Sequence, residues 1–222
     1  TVQENVERFA GSETNLSFML EKERQSIVLQ KGTEQHFILS ALTAYPSPSS
    51  VLYYFISDFG FHDWKAIENM LNSESGKIIY SHTHALLKDR EVLVLREKKT
   101  VEQSRYLIEK TKHGISSPLQ MQFSCVPAKD FKINTSSLVA ALDYDKLTFP
   151  LALRKWKEGD AFQPLGLKGK KKLSDFFIDQ KKNLFEKENT WLLCSNDQIV
   201  WVVGSRIDER FKLVEKTQKV YL

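Results

Sequence analysis

The sequence predicts an α+β protein: an N-terminal helical bundle with a β-hairpin or small sheet, followed by a mostly antiparallel β domain carrying one short helix. Three observations predict it. Apolar residues recur at helical spacing through the first 71 positions, the period shortens to strand-like runs after Gly76, and turn residues such as Gly114, Pro118, Pro127 and Gly159 then punctuate the chain. With 222 residues, 41% hydrophobic and 27% charged, the chain can bury one large core or two small ones. That composition excludes a disordered tail or a fibrous repeat. The longest apolar runs, 51–56 and 199–203, fall far short of the roughly 18 to 20 residues of a membrane span.

The elements follow in order. Val2, Val6, Phe9, Leu16 and Leu20, spaced by 4, 3, 7 and 4, make one stripe of an amphipathic helix, with Gly11 and Ser12 as points of a bend or break. Phe37, Ile38, Ala41, Leu42 and Tyr45 make a second stripe, halted by Pro46 and Pro48. Ser47-Pro48 reads as a cap with proline at the first helical position, opening a third helix whose face is Val51, Leu52, Phe55 and Phe59 and which ends at Gly60. Asp63 caps a fourth, carrying Trp64, Ile67 and Leu71. Strands are expected over 77–81, 85–88 and 91–97, with Lys88-Asp89-Arg90 as the turn between the last two. Further strands are expected at Tyr106-Leu107-Ile108, over 119–123, at Phe131-Lys132-Ile133, and as a buried run over 138–142. The expected domains are a helical one ending in short strands (1–99), a strand-rich connection (100–148) and a basic β domain (149–222). No repeat of fixed period is present.

The net charge of +4 is unevenly placed. Residues 1–150 hold 17 basic and 18 acidic side chains, net −1, whereas residues 151–222 hold 15 and 10, net +5. Within 154–182, nine Lys and Arg face only Glu158, Asp160, Asp175 and Asp179. A local cationic surface is implied on a chain that is only weakly basic as a whole.

Other chemistry is thin. Cys125 and Cys194 are too few to staple a secreted scaffold, and Cys194 follows Trp191-Leu192-Leu193 as a buried thiol would, so a reducing, cytoplasmic setting is expected. Asn15-Leu16-Ser17 and Asn134-Thr135-Ser136 match the glycosylation sequon by chance on that view. His82-Thr83-His84 places two imidazoles on one strand face without two further ligands, so no metal is expected. Asp143-Tyr144-Asp145 suits a turn better than acid–base work. The chain begins on polar, acidic residues with no basic-then-apolar leader, and reads as a piece of a longer protein.

The segment 153–179 is the informative one. Gly159-Asp160 and Pro164-Leu165-Gly166 are turn signals, and Lys170-Lys171-Lys172 precede a helix start in which Ser174 is the expected cap and Asp175 lies in the first turn. Flexible backbone, cationic side chains and helix amides together suit phosphate. A nucleotide-binding P-loop is rejected, because two residues rather than four separate Gly166 from Gly169 and no Ser or Thr follows Lys170.

Gly159-Asp160-Ala161-Phe162-Gln163-Pro164-Leu165-Gly166, then Gly169 with 171–179, then 199–208 with Arg210-Phe211-Lys212, resemble the C-terminal domain of the tRNA(Ile)-lysidine synthetase (cell-cycle protein MesJ) family. The motifs cover about residues 143–222, and the earlier part resembles the family's variable middle domain only in its order of helices before strands. The resemblance implies an ATP-dependent ligase that adenylates the wobble cytidine of tRNA(Ile), after which free lysine displaces AMP. It also implies that ATP, with Mg, and lysine bind an N-terminal domain with a Ser-Gly-Gly-x-Asp-Ser loop. No such string occurs in these 222 residues, so no catalytic residue and no cofactor is expected in this chain.

What the resemblance leaves to this chain is holding tRNA(Ile), by its acceptor stem and body. An A-form stem offers phosphates and 2′-hydroxyls more readily than base edges, which suits a rigid basic platform. By motif match, Arg154, Lys171, Lys172, Arg206, Arg210 and Lys212 are the candidate tRNA contacts, with Lys155, Lys157, Lys168 and Lys170 as further phosphate neutralisers. Gly159, Asp160, Pro164, Gly166, Gly169, Ser174, Asp175, Gly204 and Asp208 are motif positions with structural roles, the carboxylates (Asp179 among them) capping turns or orienting basic groups. Phe162, Phe176, Phe177 and Trp201 are expected in the core rather than stacked on bases. Two other readings stand beside this one: a protein-interaction module whose helical part and β edge pair two copies as a homodimer, and a general nucleic-acid-binding protein.

Overall fold

The computed structural model describes residues 1–98 and 104–222, which divide into two compact units, Thr1–Thr100 and Val101–Leu222. The expected boundary at 99 and 100 lies outside the described residues.

The first unit opens with α1 (Val2–Ile27), whose start carries a capping box between Thr1 and Glu4. The helix runs through Gly11 and Ser12 without a break. Its apolar stripe is buried only near its C-terminal end, where Leu20 and Ile27 enter the core, while Val2, Val6, Phe9 and Leu16 stay 44–83% exposed. The reason is reach: 26 residues extend about 39 Å, and the side-chain contacts of α1 with α3 (Pro48–Ile56) and with Tyr45, which follows α2 (Leu39–Thr43), come from Glu21, Glu23 and Arg24.

A hairpin unforeseen from the sequence follows, β1 (Val28–Lys31) and β2 (Glu34–Ile38), turned at Gly32 with φ +59°. It corrects the second expected helical stripe, since Phe37 and Ile38 belong to β2 and only the five residues of α2 are helical. Helix α3 has proline at its start and continues as a 3₁₀ turn, Ser57–Phe59, closed by Gly60 in the left-handed region. Helix α4 (Trp64–Leu71) is capped by Asp63, which accepts from the Ala66 amide at 2.9 Å. Strands β3 (Ile78–Tyr80), β4 (His84–Asp89) and β5 (Val92–Glu97) complete an antiparallel sheet of order β1-β2-β5-β4-β3. The helices cover it through Phe37, Leu42, Leu52, Ile56, Ile67, Met70, Leu86 and Leu93. Lys88, buried on β4, points its ammonium at the Leu71 carbonyl (2.8 Å), closing the end of α4, and burial pulls its pKa down.

In the second unit, β6 (Tyr106–Ile108), β7 (Gly114–Ile115), β8 (Met121–Gln122), β9 (Cys125–Pro127) and β10 (Leu142–Asp143) come before β11 (Leu151–Lys155). Then come β12 (Ala161–Phe162), β13 (Lys171–Lys172), α5 (Leu173–Asp179), α6 (Leu184–Asn189), β14 (Trp191–Ser195), β15 (Gln198–Val202), β16 (Arg206–Ile207) and β17 (Lys219–Tyr221). The main sheet has the order β16-β15-β14-β11-β6 and a second has β10-β17-β9, with β12-β13 and β7-β8 as ribbons. Segment 104–148 therefore pairs into the same sheets as the residues after 149. Two of its expected strands are absent. Phe131-Lys132-Ile133 follows a 3₁₀ turn after Pro127 with Ile133 exposed, and in 138–142 only Leu142 is in a strand, because Asn134 and Ser136 side chains accept from the amides of Ser136 and Leu138 and hold a turn.

The main sheet is buried on both faces, as the period of two allows. Leu151, Leu153 and Leu193 pack toward Leu142 and Tyr221 of the second sheet, while Ala152, Leu192 and Cys194 pack under Phe162, Phe176 and Phe177. The β12-β13 ribbon and α5 thus form a layer on one face, and the basic motif lies on that layer.

Candidate nucleic-acid interface

The basic motif is built on two buried carboxylates. Asp160, at the Gly159 turn (φ +87°), takes a two-pronged bond from Arg154 (Nη1 and Nη2 each 2.8 Å) and accepts the Lys157 amide at 2.8 Å. Asp208, 0% exposed, accepts from the Gln163 amide (2.9 Å), the Arg210 amide (2.9 Å), and Arg210 Nε and Nη2 (2.8 Å each). Both arginine pKa values are raised, first by these bonds. Arg210 also donates to Gln198 (3.0 Å).

Around Asp208 the first and third motifs join. Leu165 N–H donates to Ile207 O (3.0 Å), Glu209 N–H to Gln163 O (2.7 Å) and Gly166 N–H to the Glu209 carboxylate (2.8 Å). Gly166 reaches that bond at φ +85°, a conformation other residues resist. Glu209, paired also with Lys212, has its pKa lowered by the Gly166 amide first and Lys212 second. Gln163 and Glu209 are the positions that motif reasoning missed; Gln163 stands inside the first string, and Glu209 is the residue between Asp208 and Arg210.

The tethered loop returns as β13, where Phe162 pairs with Lys171 and Ala161 with Lys172, and enters α5. Ser174 does not cap this helix. Lys172 precedes it without a side-chain cap, Ser174 Oγ bonds Asp175, and the first helical amide, of Leu173, donates to Asp160 O (2.8 Å). With that amide engaged and Asp175 in the first turn, the positive charge on this surface comes from the side-chain cations.

The ten nominated cations fall into two sets. Arg154 and Arg210 are engaged by buried carboxylates, Lys171 by Asp179 and Lys212 by Glu209, and Lys155 lies 4.3 Å over the Trp191 ring. Lys157, Lys168, Lys170, Lys172 and Arg206 are exposed and in no ion pair among the described residues. Gly204, at φ +72°, turns β15 into β16 and so places Arg206. Phe162, Phe176, Phe177 and Trp201 are all at most 6% exposed, so they pack the core below. Cys194 is buried, which pushes its thiol pKa up.

Comparison with known proteins agrees along the chain. The family model described as "TilS substrate binding domain" matches residues 30–98, and the one described as "TilS substrate C-terminal domain" matches residues 151–222. The tRNA(Ile)-lysidine synthase of Parabacteroides distasonis is 41% identical over 225 residues, covering 100% of this chain and 51% of that protein. That of Bacteroides thetaiotaomicron is 32% identical over 192 residues, covering 86% of this chain and 43% of that protein. A crystal structure titled as the TilS C-terminal domain matches 53% of this chain and 93% of its own at 18% identity, with a TM-score of 0.45. The chain spans about half the length of the curated relatives it matches. Matched at both ends by domains of one protein, the chain belongs to the tRNA(Ile)-lysidine synthase family, as its substrate-binding and C-terminal domains.

Proposed function

We propose that this chain is the tRNA-holding part of a tRNA(Ile)-lysidine synthase, gripping tRNA(Ile) by the phosphates of its acceptor stem and body in the cytoplasm. The observation that carries this reading is the set of five exposed cations, in no ion pair among the described residues, on a platform fixed by Asp160 and Asp208. Such an array neutralises backbone charge and measures helix shape without reading base edges. On this reading the ligase chemistry, with ATP, Mg and lysine, belongs to the part of the relatives that this chain does not span. Among the described residues, no group of three or more His, Cys, Asp or Glu side chains is placed to hold a metal ion.

The test is a salt titration. Fluorescence anisotropy with bacterial tRNA(Ile) yields the slope of log K against log salt, to which each phosphate contact adds roughly 0.7 to 0.9. Replacing Lys168, Lys170 and Lys172 together by Ala is expected to lower the slope by about 2 and to weaken binding at low salt. A parent chain with no salt-dependent tRNA binding, or a triple variant indistinguishable from it, defeats the proposal.

A further inference from the structure

At one end of the first unit, rings and a cation gather around a short turn between β3 and β4. The turn is rigid: Ser81 Oγ accepts from the amides of Thr83 (3.2 Å) and His84 (2.9 Å), Ser81 N–H donates to His84 O (2.8 Å), and Thr83 Oγ1 donates to Phe59 O (3.3 Å). Lys98, the residue after β5, braces it, its amide donating to Thr83 O (2.7 Å) and its ammonium to Ser81 O (3.1 Å). His62 and His82 stand edge to face at 6.3 Å, and His84 lies 4.5 Å from the Phe59 ring. The Lys98 ammonium sits 5.5 Å from the centre of the Tyr80 ring, which is 56% exposed.

Core packing does not account for this arrangement, because Tyr80, His62, His82 and Lys98 all face solvent. Of the nearby carboxylates, Asp63 is engaged as the cap of α4. Exposed planar rings beside an ammonium offer stacking faces for bases and a partner for phosphate, the chemistry by which unpaired nucleotides are held. A duplex stem keeps its bases stacked inside and has no use for such rings. The lysine loop of the second unit has the opposite character, exposed charge with its aromatics buried beneath it.

We infer that Tyr80, His82 and Lys98 form a second RNA contact, which stacks on unpaired nucleotides of the same tRNA. This contact rests on the tRNA-holding reading above. It is tested on the full chain by anisotropy with bacterial tRNA(Ile) and with a short RNA duplex. Tyr80→Ala with His82→Ala is expected to weaken tRNA binding roughly fivefold or more, the effect of losing one stacked base, with duplex binding and the salt slope unchanged. Tyr80→Phe, which keeps the ring, is expected to bind as the parent does. Unchanged tRNA affinity in the double variant, while the triple lysine variant still loses affinity, overturns the contact and leaves the tRNA-holding reading standing. Tyr80→Phe as weak as the alanine variant also overturns it, since stacking is then not the cause. A parent chain that binds no RNA ends both.

Discussion

Asp208→Ala is the most exacting perturbation of the platform. The lost carboxylate is fully buried and receives four donor bonds, two from backbone amides and two from the Arg210 guanidinium. Each amide left without its acceptor costs about 1 kcal/mol or more. The guanidinium loses its fork but is 33% exposed, so water recovers part of that interaction and its share is held to about 1–2 kcal/mol. The expected loss is about 3–4 kcal/mol, toward the lower end for breaking a buried pair. Urea unfolding followed by tryptophan fluorescence reads it, because Trp156, Trp191 and Trp201 report on the second unit and only Trp64 on the first. With a slope of about 2 kcal/mol per molar, the midpoint falls by about 1.5–2 M. Asp208→Asn keeps the volume and one accepting oxygen but turns an amide toward a donor, so it falls between parent and Ala. A midpoint within about 0.5 M for Asp208→Ala refutes the argument that this carboxylate joins the two motifs.

Arg154→Ala and Arg206→Ala are expected to separate support from contact. The first leaves Asp160, 8% exposed at its side chain, without its partner and costs about 3 kcal/mol in urea unfolding; the second is within about 0.5 kcal/mol of the parent yet lowers the tRNA salt slope by roughly one contact. Equal effects of the two on stability contradict the division of the cations. Glu209 supplies a pH test: its folded pKa is lowered, so its contribution is present above the unfolded value of 4.5 and disappears as pH falls through the folded one. Urea midpoints for Glu209→Gln are therefore expected to lie below those of the parent at pH 7, with the gap narrowing as pH falls below 4.5; a gap that stays constant as the carboxylate is protonated contradicts the pairing.

Much of the fold is legible in local chemistry. Pro48, Gly60 and Asp63 mark the ends of α3 and α4 because proline, a left-handed glycine and a capping carboxylate act within four residues of themselves. The β1-β2 hairpin is not legible, since Phe37 and Ile38 fit a helical stripe and a strand equally until β5 pairs with them. The exposed start of α1 is likewise invisible, because an amphipathic stripe states what can be buried and not whether a partner lies within reach.

For the candidate site, sequence alone determined the family strings, the excess of cations after residue 150 and the turns that break the chain around them. It put six cations first by motif match and added four as phosphate neutralisers, and four of the six, Arg154, Lys171, Arg210 and Lys212, are the ones held by carboxylates, because charge and spacing along the chain carry no information on pairing in space. Only the tertiary structure decided which of them are available. Asp160 and Asp208 lie six and two residues from their arginines, and sequence separation does not say whether a fork closes. Burial of those carboxylates makes an unpaired state costly, so Arg154 and Arg210 are held inward, and Lys157, Lys168, Lys170, Lys172 and Arg206 are left facing solvent.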